Sequence, residues 1–400
     1  MPERGSPGPR EVPLTEAVRV SREARSATPA RIFATDSPLH WEAPMAEEPD
    51  EPAIPRQAPT IQAVARAAGV APSTVSRVLN GKTRGQGATA DRVLRAAAEL
   101  GYRPNASARD LRSGISKLWG LIVPDLGNPF YSSIIRGLEP VAREAGYGIL
   151  TANSNEDPAL EEDLIENMAA ERVAGIVVAA TSSTKTDIGP FLKRNAAVVA
   201  IDRHLTRWVV DEVLVDNRAG ARDATLHLFD NGARRVACVT GPRRASTAAE
   251  RVQGYRQALA ERGLQADAGL IRYSDFQREG GAAATRSLLQ GPGAPDGLLV
   301  ANNRMTLGAV EAIIGLGLRM PDDIRLVGYD EIDWAPFMPD GALTTVYQPA
   351  EAIGEEAGRL LRERLRAPGR PRQMIVFQPE LRVQSDLQTS PVHRRTSRSH

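Results

Sequence analysis

Between Pro72 and Asn80 the sequence reads PSTVSRVLN, and its side chains fall into two sets by spacing. Val75, Val78 and Leu79 stand at i, i+3 and i+4, one face of a helix, and leave Thr74, Ser76, Arg77 and Asn80 to point elsewhere. Hydroxyls, a guanidinium and an amide on the outer face of a short helix can contact phosphate oxygens and base edges in a DNA major groove. Nothing comparable points to catalysis. The chain has no G-x-S-x-G, G-x-x-x-x-G-K-[ST], H-E-x-x-H or complete G-x-G-x-x-G, and GLGL at 315–318 reads as a helix end. Five scattered histidines (His40, His204, His227, His393, His400) form no ligand cluster, and the single cysteine, Cys238, has no internal disulfide partner. No metal, no cofactor and no enzymatic activity are expected.

A helix-turn-helix would position the polar set. Thr60 can cap a helix IQAVARAA that stops at Gly69. Pro72 suits the first turn of the second helix, where its fixed φ is helical and its missing N–H had no partner. A third helix, about Ala88 to Leu100, ends at Gly101 and is expected to add Val93, Leu94 and Ala97 to the same small core. The charge distribution agrees. Residues 59–117 carry ten Lys/Arg against three Asp/Glu, whereas residues 118–387 carry thirty against thirty-six. A basic block beside an acidic body suits a nucleic-acid module joined to a domain with another task.

After Pro104, NASARDLRSG can form a turn or two of helix capped by Asn105. From Leu118 the pattern becomes short apolar strands (LWGLIV, GYGIL, AGIVVAA, AAVVAI, RRVACVT, DGLLVA, DIRLVGY) alternating with amphipathic helices such as EEDLIENMAAE, RDATLHLFDNG and MTLGAVEAIIG. That alternation predicts doubly wound parallel sheets covered on both faces, and the length of the segment predicts two lobes with a cleft between them. Residues 1–58, rich in Pro and Ser and ending in the acidic AEEPDEPAIPRQAP, are expected to be disordered, as is the tail 388–400. Met45 offers an alternative translation start. The N-terminus has no apolar core for a secretory signal and no apolar run reaches the ~20 residues a bilayer crossing needs, so a cytoplasmic location is expected.

TIQAVARAAGVAPSTVSRVLNG (60–81) strongly resembles the headpiece of the lactose and galactose repressor family of bacterial transcription regulators. The likeness continues through LRAAAELGYRPNASARDLRSG, VPDLGNPFYSSIIRGLE, VDNRAGARDATLHLFDNGARRVACVTGP, ANNRMTLGAVEAI, GLRMPDDIRLVGYDE and LTTVYQP, covering roughly residues 60–387. It implies a homodimeric repressor with a helix-turn-helix headpiece (59–104), a hinge (105–117) and a periplasmic-binding-protein-like core (118–387) for effector binding and dimerisation. Lobe 1 would span about 118–216 and 350–378, and lobe 2 about 217–349 and 379–387. The implied partners are a near-palindromic double-stranded DNA operator and a small effector, with no membrane.

By the same resemblance, Pro72, Ser73 and Arg77 match base-reading positions, and Thr74, Ser76 and Asn80 match backbone contacts. Arg77 can offer a bidentate fork to guanine O6 and N7, worth ~1–3 kcal/mol of discrimination. Leu111 matches a leucine that pairs of subunits wedge into the minor groove, with Asn105 and Arg109 as neighbouring phosphate or groove contacts. The sequence departs from the family in three places: Asp110 beside the wedge, Ala71 where a capping Ser is usual, and GQGA at 85–88 entering the third helix. The last two imply a less stable headpiece. Matching effector positions are Asp125, Asn128, Phe130, Tyr131, Arg251, Phe276, Asn302 and Asp330. Arg251 and Asp330 are read as lying just past strand ends, in the crevice where parallel sheets bind ligands. Carboxylates and amides for hydroxyls, with aromatic faces, suit a sugar or polyol, although the family also takes nucleobases and other effectors. The alternative is a DNA-binding regulator whose core only dimerises.

Overall fold

A computed structural model of the chain describes residues 59–79, 87–102 and 116–383. The expected extension and tail, most of the hinge, and the candidate DNA contacts Asn80, Asn105, Arg109 and Leu111 lie outside the described residues.

The N-terminal unit packs α1 (Ile61–Ala68), α2 (Pro72–Leu79) and α3 (Ala88–Glu99) around Val64, Ala65, Ala68, Val75, Val93, Ala96 and Ala97. Thr60 Oγ1 accepts from the Ala63 N–H at 3.2 Å, and Gly69 closes α1 at φ 62°, a left-handed value that glycine adopts without strain. Val78 and Leu79 pack at the edge of this core. The expectation for Leu94 is corrected: it is 52% exposed, and α3 turns Val93, Ala96 and Ala97 inward instead. With three short helices this close, alanine fills the seam that a leucine would overfill. Gly87 precedes α3 with no side-chain cap, leaving first-turn N–H groups without that partner.

The rest of the chain forms two sheets. The first holds β1 (Leu118–Val123), β2 (Gly148–Asn153), β3 (Gly175–Val178), β4 (Ala197–Ile201), β5 (Asp211–Val215) and β11 (Met374–Phe377), in the order β11-β5-β4-β3-β1-β2 and parallel throughout. The second holds β6 (Val236–Thr240), β7 (Ile271–Tyr273), β8 (Gly297–Val300), β9 (Arg325–Tyr329), β10 (Leu343–Tyr347) and β12 (Glu380–Val383), ordered β12-β10-β9-β8-β6-β7. Only its edge pair, β10 with β12, is antiparallel.

Helices cover both faces of each sheet, as parallel sheets require. On the first sheet, α4 (Pro129–Glu144) and α11 (Ala350–Arg366) bury one face, and α5 (Pro158–Ala170) with α6 (Gly189–Leu192) the other. On the second, α7 (Asn217–Asp230) and α8 (Ser246–Glu261) oppose α9 (Arg278–Leu289) and α10 (Asn303–Gly315). Helices α4 and α11 touch backbone to backbone. A Cβ at Gly137 would stand 1.9 Å from the Glu351 carbonyl oxygen, so only glycine permits this crossing. The chain passes between lobes three times: from β5 into α7, from β10 into α11, and from β11 into β12. These crossings set the two sheets with their carboxyl ends facing one cleft.

Candidate functional site

All eight expected effector positions line one cavity in that cleft. The strand-end rule explains the convergence, because each lobe delivers its loops from the carboxyl ends of its parallel strands. Asp125 follows β1, and Asn128, Phe130 and Tyr131 open α4, where Asn128 caps the helix by accepting from the Phe130 N–H at 2.9 Å. From the second lobe, Phe276 follows β7, Asn302 follows β8 and caps α10 through the Met305 N–H at 2.8 Å, and Asp330 follows β9. Arg251 departs from the expectation of a strand-end residue. It sits on α8, eleven residues beyond β6, because GPRRA intervenes before the helix starts and brings its second turn to the cleft.

Five further residues line the cavity that the sequence reading did not name: Glu156, Asp202, Arg203, Thr247 and Gln348. Asp202 and Arg203 directly follow β4, the same kind of strand-end position that supported Asp330. Gln348 follows β10, a strand the sequence reading did not recognise. Glu156 and Thr247 carried no signal of their own.

The polar groups are arranged as a buried network. Arg203 donates to both oxygens of Glu156, at 3.1 and 2.6 Å, and to the Ala180 carbonyl at 3.0 Å. Its guanidinium lies 5.3 Å from the centre of the Phe276 ring. Burial would lower the Arg203 pKa, but Glu156, Tyr131 and Asp202 together outweigh it and hold the side chain firmly charged. Tyr131 donates its hydroxyl to Asp202 at 2.9 Å, and burial, reinforced by that carboxylate, raises the phenol well above its ordinary range. Asp330 accepts from Gln348 Nε2 at 2.5 Å and from the Asn303 N–H at 3.2 Å, yet burial dominates and raises its pKa. Arg251 stacks 4.1 Å over the Tyr329 ring and donates from Nε to Asn217 at 2.8 Å.

Backbone strain concentrates here. Of seven non-glycine residues with positive φ among those described, four line the cavity: Glu156 (56°), Asp202 (61°), Phe276 (65°) and Asp330 (75°). Such conformations persist where the surroundings impose them, and they cluster at ligand sites. Gly241 serves the same site, since a Cβ there would lie 2.0 Å from the Phe276 ring. The ring therefore lies directly on backbone.

The lobes meet at both ends of the cavity. On one side Asn303 Nδ2 donates to Asn128 at 2.9 Å, and Arg304 pairs with Asp125 at 3.3 Å. On the other, Arg244 donates to the Glu156 carbonyl at 2.5 Å, and Ser183 N–H donates to the Arg244 carbonyl at 3.3 Å.

In the N-terminal unit, Pro72, Ser73 and Arg77 lie on α2 together with Thr74 and Ser76; Pro72 and Ser73 are exposed, on the same helix whose Val75 enters the core. No group of three or more His, Cys, Asp or Glu among the described residues is placed to hold a metal ion. No helix among them is long and apolar enough to cross a membrane.

Residues 116–374 match the family described as periplasmic binding proteins and sugar binding domain of the LacI family, and residues 60–105 match the bacterial regulatory proteins of the lacI family. The HTH-type transcriptional repressor PurR of Photobacterium profundum is 32% identical over 331 residues, 82% of this chain and 98% of the relative. A solved complex of the transcriptional regulator CelR with cellobiose superposes with a TM-score of 0.62 at 32% identity, covering 81% of this chain and 98% of the other. The lac repressor dimer bound to operator and the anti-inducer ONPF gives a TM-score of 0.73 at 25% identity, covering 82% and 99%.

Proposed function

This chain belongs to the lacI family of bacterial regulatory proteins, and from that premise we propose which molecule its cleft binds and how that molecule acts. The protein is a DNA-binding transcriptional regulator of the repressor type, with a helix-turn-helix unit ahead of a periplasmic-binding-protein-like core. In the proposed reading it works as a homodimer on a near-palindromic operator, and a neutral polyhydroxy effector bound in the cleft shifts its operator affinity. The reading includes no catalytic step and no membrane partner, and it places the protein in the cytoplasm with its DNA.

The observation that carries the effector class is the chemistry of the cleft cavity. Arg203 is committed to Glu156, Arg251 to Asn217 and the Ala301 carbonyl, and at the lips Arg304 pairs with Asp125 and Arg244 with Glu156, so the lining is already matched in charge, which suits a neutral ligand better than a phosphorylated one. Asp330 with Asn302 and Gln348 can bind vicinal hydroxyls, and the Phe276 and Phe130 rings can cover an apolar sugar face. The cellobiose bound by the CelR relative supports the carbohydrate class.

On the DNA side, Arg77, Ser73 and Pro72 are assigned to base edges, Thr74, Ser76 and Asn80 to the backbone, and Leu111 with Asn105 and Arg109 to the bent operator centre. Isothermal titration with neutral pentoses and hexoses, each beside its phosphate ester, tests the effector class. Binding of a neutral sugar with no binding of its ester is expected. Preference for the ester would overturn the charge argument, and no binding across the panel would favour a core that only dimerises.

A further inference from the structure

His204 follows the cavity residues Asp202 and Arg203 in the chain but does not line the cavity itself. It occupies the seam between the lobes. Its Nδ1 lies 3.3 Å from Glu212 Oε2 on β5 of its own lobe, and its Nε2 lies 3.6 Å from Glu250 Oε1 on α8 of the other. The His204 N–H also donates to Ser246 Oγ, at the start of α8, at 3.1 Å. The second oxygen of Glu250 accepts from Asn217 Nδ2 at 3.0 Å, and Asn217 Oδ1 in turn accepts from Arg251 Nε at 2.8 Å. Arg251 lines the cavity, so the imidazole stands one short relay from bound ligand.

An imidazole between two carboxylates is sensitive to its proton count. The imidazolium donates one N–H to each carboxylate and carries a charge that attracts both. The neutral ring has one N–H, so it satisfies one carboxylate and turns a lone pair toward the other. The seam then holds Glu212 and Glu250 with Arg372, which pairs with Glu212, as the remaining cation facing the ring from the segment before β11. Glu250, on the far lobe, loses its charged partner across the seam.

We propose that His204 is a proton-operated latch between the lobes, whose imidazolium form favours the closed cleft and whose neutral form favours opening. The electrostatics agree in direction. The hydrogen bond with Glu212, and then the charges of Glu212 and Glu250, raise the His204 pKa above its ordinary value against the opposing effect of burial. Burial raises the Glu250 pKa. Burial also acts to raise Glu212, but hydrogen bonds from His204 and the Leu205 N–H outweigh it and lower that pKa overall. A group whose pKa is raised in the closed state stabilises closure at low pH and loses that contribution as pH rises through the raised value. At the acid end the latch fails when Glu250 takes up a proton. The window thus runs from weakly acidic pH up through the raised imidazole value.

His204 is 36% exposed, so solvent screening limits the shift in the open-to-closed ratio to about fivefold. The inference concerns lobe geometry in the ligand-free chain and stands independently of the effector and operator assigned above.

The test uses spin labels on the exposed sites Glu162→Cys and Glu279→Cys, one per lobe, in the full chain, whose native Cys238 is buried. Pulsed dipolar spectroscopy reads their separation from pH 5.5 to 8.5. We expect a growing long-distance population as pH rises, absent in His204→Gln and in Glu250→Gln. In parallel, imidazole NMR titration should show the His204 pKa falling in Glu250→Gln. A pH-independent distance in the parent chain, or an unchanged pH response in His204→Gln, would overturn the latch. An unaltered His204 titration in Glu250→Gln would remove the cross-lobe partner and overturn it too.

Discussion

Replacing Arg203 by Met tests the buried network on which the cavity wall depends. The parent side chain is 3% exposed and Glu156 is 9% exposed, and the pair shares two hydrogen bonds of 3.1 and 2.6 Å. Methionine leaves the Glu156 carboxylate buried, with Arg244 at 3.9 Å as its remaining cationic neighbour. It also leaves the Ala180 carbonyl without its donor and removes the cation from the Phe276 ring. Removing one partner of a buried ion pair costs ~3–5 kcal/mol, mostly because the other charge stays behind. For a core of this size each kcal/mol lowers Tm by roughly 2–4 °C, so the variant should melt about 10 °C below the parent. Asp202, 3.5 Å from Arg203 Nε and also buried, loses its partner too, so Glu156→Gln combined with Arg203→Met removes the more tightly paired of the two stranded carboxylates and should recover part of that loss. Thermal unfolding followed by circular dichroism reads both. A single variant melting within a degree or two of the parent, or a double variant as unstable as the single, would refute the claim that the carboxylate is the source of the cost.

Arg77→Ala should weaken operator binding by ~1–3 kcal/mol and relax discrimination at one base position of each half-site, read by titrating operators mutated base by base; equal losses on every operator would instead make Arg77 a phosphate contact. Asp330→Ala should abolish the effector's influence on operator binding while leaving effector-free operator affinity within about twofold, because the residue contacts the cavity and not the DNA-binding unit; titrations with and without the sugar found by calorimetry decide it. Deleting residues 1–44, so that Met45 comes first, should leave operator affinity within a few-fold in a filter-binding assay, since a segment of that composition lacks the apolar content to build a core.

The helix-turn-helix was legible because its signals are local: a capping threonine, a glycine stop, a proline at a helix start and an apolar stripe within eight residues. Leu94 was misplaced because periodicity alone admits Val93 with either Leu94 or Ala96, and hydrophobicity favours the leucine while the tight packing favours alanine. Strand β5 escaped notice for a long-range reason. It opens with Asp211 and Glu212, both fully buried, which no local pattern would assign to a core strand. Their charges are met by Arg364 and Arg370 on Asp211 at 2.9 Å and by Arg372 on Glu212, side chains 153 to 160 residues further along the chain. Strands β7, β11 and β12 have three or four residues each, too short for period-two alternation to register. The eight cavity residues were legible through the family resemblance, with the strand-end rule adding support at Asp330. Arg251 escaped the rule since a helix can reach the same crevice from its second turn.

The way the chain leaves the core constrains how a cleft can govern DNA. Just before β1, the Ser116 N–H and hydroxyl both bond the Arg172 carbonyl, at 3.0 and 3.2 Å, which ties the exit of the headpiece tether to the first lobe. A rotation of the second lobe alone would leave that exit where it is. For effector binding to reach the operator, closure must reorient the first lobes of the proposed dimer relative to each other, because those carry the tethers. The cleft is built for such leverage: Asn128 with Asn303 and Asp125 with Arg304 join the lobes at one lip, and Arg244 with Glu156 joins them at the other. A ligand that bound open and closed clefts equally would change nothing, however tightly it bound. The attainable regulation is therefore set by how much better the closed cavity holds the effector, typically ~1–3 kcal/mol of coupling, and operator DNA must alter effector affinity by the same factor.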